Sequence, residues 1–369
     1  LLTNSVEDII FIYNSIYIRL LLMKNKTYNK KNFFSKLFVK IIRKFGYEVI
    51  DQANLKIPDI DKNINENLSK SGLKSITIPL GSTKIKNKIQ SFTIIIRSYT
   101  SGNTEDAKVM LDQSKQRIYE LPKIEYTLRT IKSIIRSCEY SKKFFQDLNI
   151  KLIITDDKSS QENLDKINKI LDAANISSQI IHLNESEFEN EIQKKDINGK
   201  NISNNMISNM RNILKSIKIS EEENSDIFYF LEDDYIHSEH AITEMLFTYE
   251  KLSSQLDREL FLCPADYPYL YSNIDDTKIL FGNKSHWRIV KESLITFMTS
   301  KKMIIKYLND LKAMGQLRHH PMEQKLHQIY EKEYCLSPIP SLAMHATNIN
   351  SVYGLPPNFD WEKVWNENS

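Results

Sequence analysis

The chain has 369 residues, of which 41% are hydrophobic and 26% are charged, and its formal net charge is +3. This composition predicts a soluble globular protein of one or two domains and excludes a disordered chain, while so small a charge gives no support for nucleic acid as the main partner. Three isolated cysteines fit neither a disulfide framework nor a zinc site, so we expect a reducing, cytoplasmic compartment.

Residues 1–88 are expected to form an N-terminal helical and basic region that ends in a polar linker. The apolar stretch at 9–23 is too short for a membrane span and lacks a cleavage site, so neither a transmembrane helix nor a signal peptide is predicted. Residues 24–45 carry eight Lys or Arg and no acid, with apolar residues at helical spacing. This pattern predicts a basic amphipathic helix. The helix either lies peripherally on the inner face of an anionic membrane or packs on its own domain.

Alternating apolar strands and amphipathic helices occupy residues 89–355, and a tail follows at 356–369. The pattern predicts strands at 91–99, 150–157, 177–184 and 226–231, and helices at 121–138, 162–176 and 204–220. Such alternation is typical of an α/β fold with a mostly parallel central sheet flanked by helices. Ligands in these folds bind outside the carboxyl ends of the strands. We therefore expect Asp156 and Asp157, which close the second strand, to share a cleft with the acids that close the fourth.

Three consecutive carboxylates, Glu232, Asp233 and Asp234, follow the apolar strand. Unpaired burial of even one carboxylate is very costly, so the triplet calls for a counter-charge. A divalent cation would supply it, since Mg²⁺ and Mn²⁺ accept oxygen ligands and can hold a diphosphate. The alternative is that Asp233 or Asp234 caps a helix that begins directly afterwards, with His237 and His240 on its exposed face.

Residues 91 to about 350 resemble a nucleotide-sugar-dependent glycosyltransferase of the Rossmann-like GT-A fold, closest in layout to inverting family-2-like enzymes. The likeness rests on FTIIIRSY (92–99), LIITDDKSS (152–160) and FYFLEDDY (228–235), of which the last is similar to the Asp-x-Asp metal motif. The resemblance implies transfer of a sugar from a UDP- or GDP-linked donor to the hydroxyl of a glycan or a lipid-linked acceptor. It also implies a role in surface glycan or polysaccharide synthesis.

The resemblance further implies roles for individual residues. Asp234 would be the direct ligand of Mn²⁺ or Mg²⁺, with His345 closing the metal site, and Glu323 would be the general base. Met322 replaces the first acid of the family's usual pair, and Glu323 could instead be an ordinary acid in the first turn of a helix. The residues implied to contact the donor are Asp156, Asp157, Glu232 and Asp233, and Arg97 is a further candidate because a guanidinium matches phosphate oxygens. The residues implied to contact the acceptor are Asp266, Tyr267 and Trp287. The alternative for the loop at 259–271 is a packed loop rich in tyrosine.

Two other functions stay open on the sequence alone. A nucleotidyltransferase would pair carboxylates with a metal on a similar sheet, but it usually carries a Gly-rich phosphate loop, and SYTSGNTED (98–106) contains only Gly102. A non-catalytic carbohydrate-binding or scaffold protein is the third possibility, because a fold does not determine a function.

Overall fold

The structure is a computed structural model that describes residues 33–47, 75–78, 81–100, 117–196, 199–272, 277–319, 321–347 and 349–369. The expectations for residues 9–23, for 24–32 and for the linker before residue 75 therefore lie outside the described residues. The chain divides into two compact units between Lys56 and Ile57. Helix α1 (Phe33–Lys44) belongs to the first unit, and the elements from Ser75 onwards belong to the second. The boundaries expected near residues 88 and 355 stay predictions.

The second unit is built around a nine-stranded sheet with the strand order β5-β4-β3-β6-β11-β8-β12-β10-β9. Within this described sheet, β10 and β11 run against the other seven strands. The predicted α/β fold with a mostly parallel sheet is therefore confirmed. The strands are β3 (Ser91–Ser98), β4 (Asn149–Asp156), β5 (Ser177–His182), β6 (Ile227–Glu232), β8 (Phe261–Leu262), β9 (Ile279–Phe281), β10 (His286–Val290), β11 (Phe297–Ser300) and β12 (Cys335–Ile339).

Helices connect these strands, and their apolar residues share one core with the buried strands. The predicted helices are present with ends shifted by at most four residues. Among the described helices, none is both long and apolar enough to cross a membrane. The helices of this unit are α2 (Lys123–Lys142), α3 (Gln161–Asp172), α4 (Asn204–Glu222), α5 (Ala241–Leu256), α6 (Lys301–Lys306), α7 (Leu308–Gln316), α8 (Gln324–Tyr330) and α9 (Trp361–Glu367).

Serine caps fix the starts of two helices that border the carboxyl edge of the sheet. The Ser160 side chain accepts a hydrogen bond from the backbone N–H of Asn163 at the start of α3, and Ser203 does the same for Met206 at the start of α4. Such caps satisfy backbone donors that a helix start leaves free. A separate antiparallel hairpin of β1 (Ser75–Ile78) and β2 (Gly81–Lys84) precedes the sheet.

A short strand, β7 (Tyr235–His237), follows the acid triplet where a helix start was expected, and α5 begins only at Ala241. Strand β7 pairs antiparallel with β13 (Ala343–His345), and its three residues are buried. His237 therefore does not lie on an exposed helix face. Its Nε2 forms a 2.7 Å hydrogen bond with the Tyr229 hydroxyl, and burial lowers its pKa to about 3.

The ribbon of β7 and β13 rests on the C-terminal helix α9. Trp365 of α9 is 4% exposed, and its ring centroid lies 5.0 Å from that of Tyr126, in an edge-to-face contact. The Arg129 guanidinium stacks over the same indole at 4.2 Å. The buried residues of this cluster are Tyr126, Ile236, Met344, Ala346, Val364 and Trp365. The chain's last residues thus support the ribbon that carries His345.

We expect Trp365→Ala to lower the free energy of unfolding by about 3–5 kcal/mol, because it removes a large buried side chain and leaves a cavity beneath the ribbon. Urea unfolding followed by tryptophan fluorescence and circular dichroism would measure the change. Glu362→Ala, an exposed substitution in the same helix, is the control and should change stability by less than about 0.5 kcal/mol. Equal stability of Trp365→Ala and the unmodified chain would contradict this packing.

Candidate functional site

The acids singled out in the sequence lie along one edge of the sheet. Strand β3 pairs with β4 on one side and with β6 on the other, with Ser98 opposite Asp156 and Arg97 opposite Glu232. Since adjacent strands are about 4.8 Å apart, the main chains of Asp156 and Glu232 are separated by two strand spacings, roughly 10 Å. The two acidic strand ends therefore lie at the same edge of the sheet, as the alternation of strands and helices in the sequence predicted.

Each of four carboxylates at this edge is matched by a basic side chain. The pairs are Asp157 with Arg211 (2.9 Å), Asp233 with Lys123 (3.1 Å), Glu232 with Arg97 (3.2 Å) and Asp234 with His345 (3.3 Å). The protein thus supplies much of the counter-charge that was expected from a metal. Buried charges are tolerated when they are paired in this way.

The pair of Asp234 and His345 differs from the others because one of its oxygens is uncommitted. Asp234 Oδ2 accepts a hydrogen bond from Thr347 Oγ1 at 2.5 Å and faces His345 Nε2. Asp234 Oδ1 is buried but accepts no hydrogen bond from any described residue. His345 Nδ1 donates to the Tyr353 carbonyl at 3.2 Å, so the lone pair of the neutral ring is on Nε2, towards Asp234. A second partner of this kind commonly orients a metal-binding histidine.

Electrostatics favour the ionised forms of both members of this pair. Burial alone raises the pKa of Asp234, but the charge and hydrogen bond of His345, together with Lys123 and Thr347, outweigh it and hold that pKa below its usual value. Burial lowers the pKa of His345, whereas Asp234 raises it, and the net pKa of His345 is above its usual value. Both shifts favour the charged forms of the two groups, and a cation that took the place of the imidazolium proton would use the same histidine nitrogen.

The residues fit a cation that is shared with a ligand. Within the described ranges, no group of three or more His, Cys, Asp or Glu side chains is arranged to hold a metal. Asp234 Oδ1 and His345 Nε2 would provide two protein ligands. Mg²⁺ is commonly bound by one or two carboxylates plus substrate phosphates, and imidazole suits Mn²⁺-type ions.

Asp233 has a positional role in the site. Its Oδ2 accepts hydrogen bonds from the Tyr99 backbone N–H (3.2 Å) and from Thr127 Oγ1 (3.1 Å), while Lys123 approaches Oδ1. Burial raises its pKa, and Lys123 opposes the rise. Asp233 therefore ties the end of β3 to the first turn of α2. Neither Asp233 nor Asp234 caps a helix, since α5 begins after His240.

A cavity of about 560 Å³ lies beside Asp157, next to the ends of β3 and β4. Tyr99, Asp157, Phe188, Ser208 and Arg211 are among its lining residues. Asp157 is fully buried and receives both of its hydrogen bonds from Arg211 Nη1, at 2.9 and 3.1 Å. Ser208 Oγ and Arg211 Nε are buried without a hydrogen-bond partner in the described part of the chain. The cavity wall thus offers an aromatic ring, a carboxylate and two uncommitted polar atoms.

Asp156 stabilises the turn after β4. Its Oδ1 accepts from Ser159 Oγ at 2.5 Å and its Oδ2 from the Ser159 backbone N–H at 3.2 Å, and the residue is 2% exposed. Of the two adjacent acids, Asp157 lines the cavity, and Asp156 shapes the loop beneath it.

Glu323 immediately precedes α8, but its side chain makes no capping hydrogen bond among the described residues. Removal of its carboxyl group from water raises its pKa to about 7. The nearby Glu232 carboxylate adds to the rise, and Arg97 and Arg318 oppose it. Glu323 therefore interacts electrostatically with Glu232 at the end of β6 and with Arg97, the ion-pair partner of Glu232. A carboxyl group that titrates near neutrality can accept a proton at physiological pH.

The residues expected to contact an acceptor are buried. Asp266 accepts a hydrogen bond from Tyr271 (2.5 Å) and pairs with Arg288, and burial raises its pKa. Tyr267 and Trp287 are 0% exposed. The Tyr267 hydroxyl bonds that of Tyr235 at 2.7 Å, and Trp287 Nε1 donates to Glu244 at 3.3 Å. Trp287 is therefore a core residue, and Asp266 and Tyr267 lie behind the site surface.

Several contributors to the site were not identified from the sequence. Lys123, Thr127 and Thr347 bind the acids from α2 and from the segment after β13, and Tyr353 orients His345. Pro122 stands before a helical pattern, and proline is common at a helix start, so the sequence indicates that Lys123 begins a helix. Nothing in the sequence connects Lys123 to Asp233. Arg211 lies in the third predicted helix, and no local pattern in the sequence pairs it with Asp157.

Comparisons with known proteins give only distant likenesses. No protein-family model matches the chain, and no curated protein matches it. Similar solved structures include S. aureus TarS residues 1–349, at 9% identity and a TM-score of 0.37, for which the match covers 67% of this chain and 57% of that chain. A UDP-glucose pyrophosphorylase with UDP-glucose is also similar, at 9% identity, 76% and 98% coverage and a TM-score of 0.36. GalNAc-T7 with UDP, GalNAc and Mn²⁺ has 9% identity, 72% and 44% coverage and a TM-score of 0.35.

The chain thus spans less than two thirds of the TarS fragment that it matches. Likenesses this distant assign no activity, so the function has to be inferred from the residues of the site.

We expect Arg211→Met to lower the free energy of unfolding by about 3–5 kcal/mol, because it leaves the Asp157 carboxylate buried without a counter-charge. Urea unfolding at neutral pH would measure the loss. The double variant Arg211→Met/Asp157→Asn removes both charges and should recover much of the stability. Strict additivity of the two single losses in the double variant would show that the pair is not coupled.

Proposed function

We propose that the chain is a metal-dependent glycosyltransferase that moves a sugar from a nucleoside-diphosphate sugar to an acceptor hydroxyl. The observation that carries this proposal is the pair of Asp234 and His345, with its buried and uncommitted Asp234 Oδ1, on the same sheet edge as a cavity of about 560 Å³. A cation held at Asp234, on the sheet edge that also carries this cavity, would suit a ligand with a diphosphate at one end and a nucleoside at the other.

The cavity beside β3 and β4 would hold the nucleoside. Its volume lies in the range of ordinary small-molecule sites, about 300–1,000 Å³. Tyr99 offers a ring face to a base, and Ser208 Oγ and Arg211 Nε offer hydrogen-bonding atoms that the protein itself leaves unused. Asp157, held by Arg211, supplies acceptor oxygens for base or ribose donors. UDP- and GDP-linked sugars are the donors that we propose.

Mn²⁺ or Mg²⁺ would be held by Asp234 Oδ1 and His345 Nε2. When bound, such a cation neutralises the negative charge that grows on a leaving diphosphate. The chain's own residues prepare the ligands: the Tyr353 carbonyl fixes the orientation of the imidazole, and Thr347 holds the other carboxylate oxygen. Arg97, whose Nε and Nη1 are buried without partners in the described residues, keeps Glu232 in place beside this pair.

Glu323 would act as the general base. With a pKa raised to about 7, a substantial fraction of this carboxyl group is ionised at neutral pH and can accept the proton of an attacking hydroxyl. Tyr353 also interacts electrostatically with Glu323, so the base and the metal-binding histidine share a neighbour. Attack assisted by a base on the face opposite the leaving diphosphate would invert the anomeric carbon. The acceptor that we propose is a glycan or a lipid-linked molecule used in surface glycan or polysaccharide synthesis.

We expect Asp234→Asn to abolish the increase in melting temperature that a nucleotide sugar gives together with Mn²⁺, because the amide is a weak ligand for the cation. Thermal unfolding with UDP-, GDP-, CMP- and dTDP-sugars, each with and without Mn²⁺, would measure this, since a ligand that binds only the folded state stabilises it. Asp165→Asn, on the exposed side of α3, should keep the full increase. An increase in melting temperature that is equal in Asp234→Asn would contradict the metal site.

We expect Glu323→Gln to lower kcat by about 10²–10⁴-fold, since it removes general-base assistance. In the unmodified protein kcat/KM should rise with pH and level off above an apparent pKa near 7, because Glu323 must be deprotonated to act. The residual activity of Glu323→Gln should lack this rise. The release of nucleoside diphosphate from the donor would be measured to obtain kcat and kcat/KM for both proteins.

Glu331→Gln, an exposed substitution at the other end of α8, should leave both the rate and the pH profile unchanged. Release of pyrophosphate in place of a nucleoside diphosphate would favour a nucleotidyltransferase. Absence of any turnover with every donor, despite metal-dependent binding, would favour a non-catalytic protein.

A further inference from the structure

Helix α1 carries large apolar side chains that are exposed. Leu37, Phe38 and Ile41 are 44%, 46% and 45% exposed and their spacing places them on one side of the helix, and Phe45, directly after its last residue, is 72% exposed. Large apolar side chains in a contiguous exposed patch usually mark a surface that binds something. The first unit therefore carries an apolar helix face of the kind that binds a partner.

The charge around this face is uniformly positive. Lys40, Arg43 and Lys44 are exposed, and their spacing places Arg43 opposite the apolar residues of α1 and Lys40 and Lys44 along the margin of the apolar face. Residues 24–45 carry eight basic residues and no acid, and since the whole chain has a net charge of +3, the rest of the chain has a net charge of −5. An anionic surface would thus attract this segment and repel the remainder.

We propose that α1 is a docking helix for an anionic lipid surface, lying in the plane of the headgroups with Leu37, Phe38, Ile41 and Phe45 inserted. Amphipathic helices with a basic polar face and large apolar residues on the other face bind such interfaces, and they do so without spanning the bilayer. Each basic side chain near a negatively charged leaflet adds to the attraction. This inference is independent of the proposed catalytic function.

Two other occupants fit the same helix less well. A second copy of the chain could cover the apolar face, but it would bring two strongly basic segments together. A nucleic acid would match the charge but would leave the four apolar side chains in water. A lipid surface satisfies both faces at once, because it offers anionic headgroups above an apolar interior.

Co-sedimentation of the full chain with lipid vesicles tests this docking. We expect binding to vesicles of equimolar phosphatidylcholine and phosphatidylglycerol, little binding to phosphatidylcholine alone, and weaker binding at high salt because exposed charges are screened. Lys40→Gln/Lys44→Gln should weaken binding about 25-fold, from roughly fivefold per basic residue. Phe38→Ser/Ile41→Ser should abolish it. No nucleotide sugar is present, so failure of this test is distinct from failure of the catalytic proposal.

Matched substitutions elsewhere on the surface serve as controls. Lys169→Gln/Lys332→Gln removes the same charge, and Ile305→Ser/Val352→Ser removes exposed apolar groups, and neither pair should alter binding. Equal binding to neutral and anionic vesicles, or equal loss in test and control pairs, would overturn the proposal. The proposal would also be overturned if the chain did not bind vesicles and light scattering showed a dimer that Phe38→Ser/Ile41→Ser abolishes.

Discussion

Four carboxylates crowd the carboxyl edge of one sheet, and the arrangement depends on giving each of them a basic partner. Isolated charges of this kind could not be buried, so the chain brings in Arg97, Lys123, Arg211 and His345 from four different elements. These partners also connect the sheet to α2, α4 and the ribbon. Charge pairing thus determines the shape of the site as well as its electrostatics.

The four pairs are not equivalent chemically. Guanidinium and ammonium groups repel a cation, whereas a neutral imidazole can bind one. Only His345 can therefore exchange its role as a counter-charge for a role as a ligand. It is also the partner of the one carboxylate among the four that has a buried oxygen without a hydrogen bond from the described residues. These two properties meet at Asp234, which is why we centre the proposed function there.

Much of the fold was predictable because local pattern decides it. The apolar runs at 91–99, 150–157, 177–184 and 226–231 became β3 to β6, and the helical periods between them became α2 to α4. Parallel sheets bury their strands on both faces, so such runs are unambiguous. The placement of acids at strand ends followed from the same pattern.

The remainder depended on contacts that are distant in sequence. Strand β7 has three residues and is defined by its pairing with β13, more than one hundred residues later, so a helix start was the better local interpretation. Trp287 has an aromatic ring of the type that packs on sugars. In the structure the buried Glu244 carboxylate accepts hydrogen bonds from its indole and from three nearby backbone N–H groups, so the ring belongs to the core. Similarly, no local feature distinguishes Asp233, which positions α2, from Asp234, which faces His345.

The pairing of β7 with β13 has a consequence for folding during synthesis. Ribosomes make a chain from its N-terminus, and early domains can fold before later segments emerge. All the strands that border the cavity precede residue 240, whereas His345 lies on a strand more than one hundred residues later in the chain. A nascent chain could therefore close its cavity early and gain the second half of its charged pair only after more than one hundred further residues have been made.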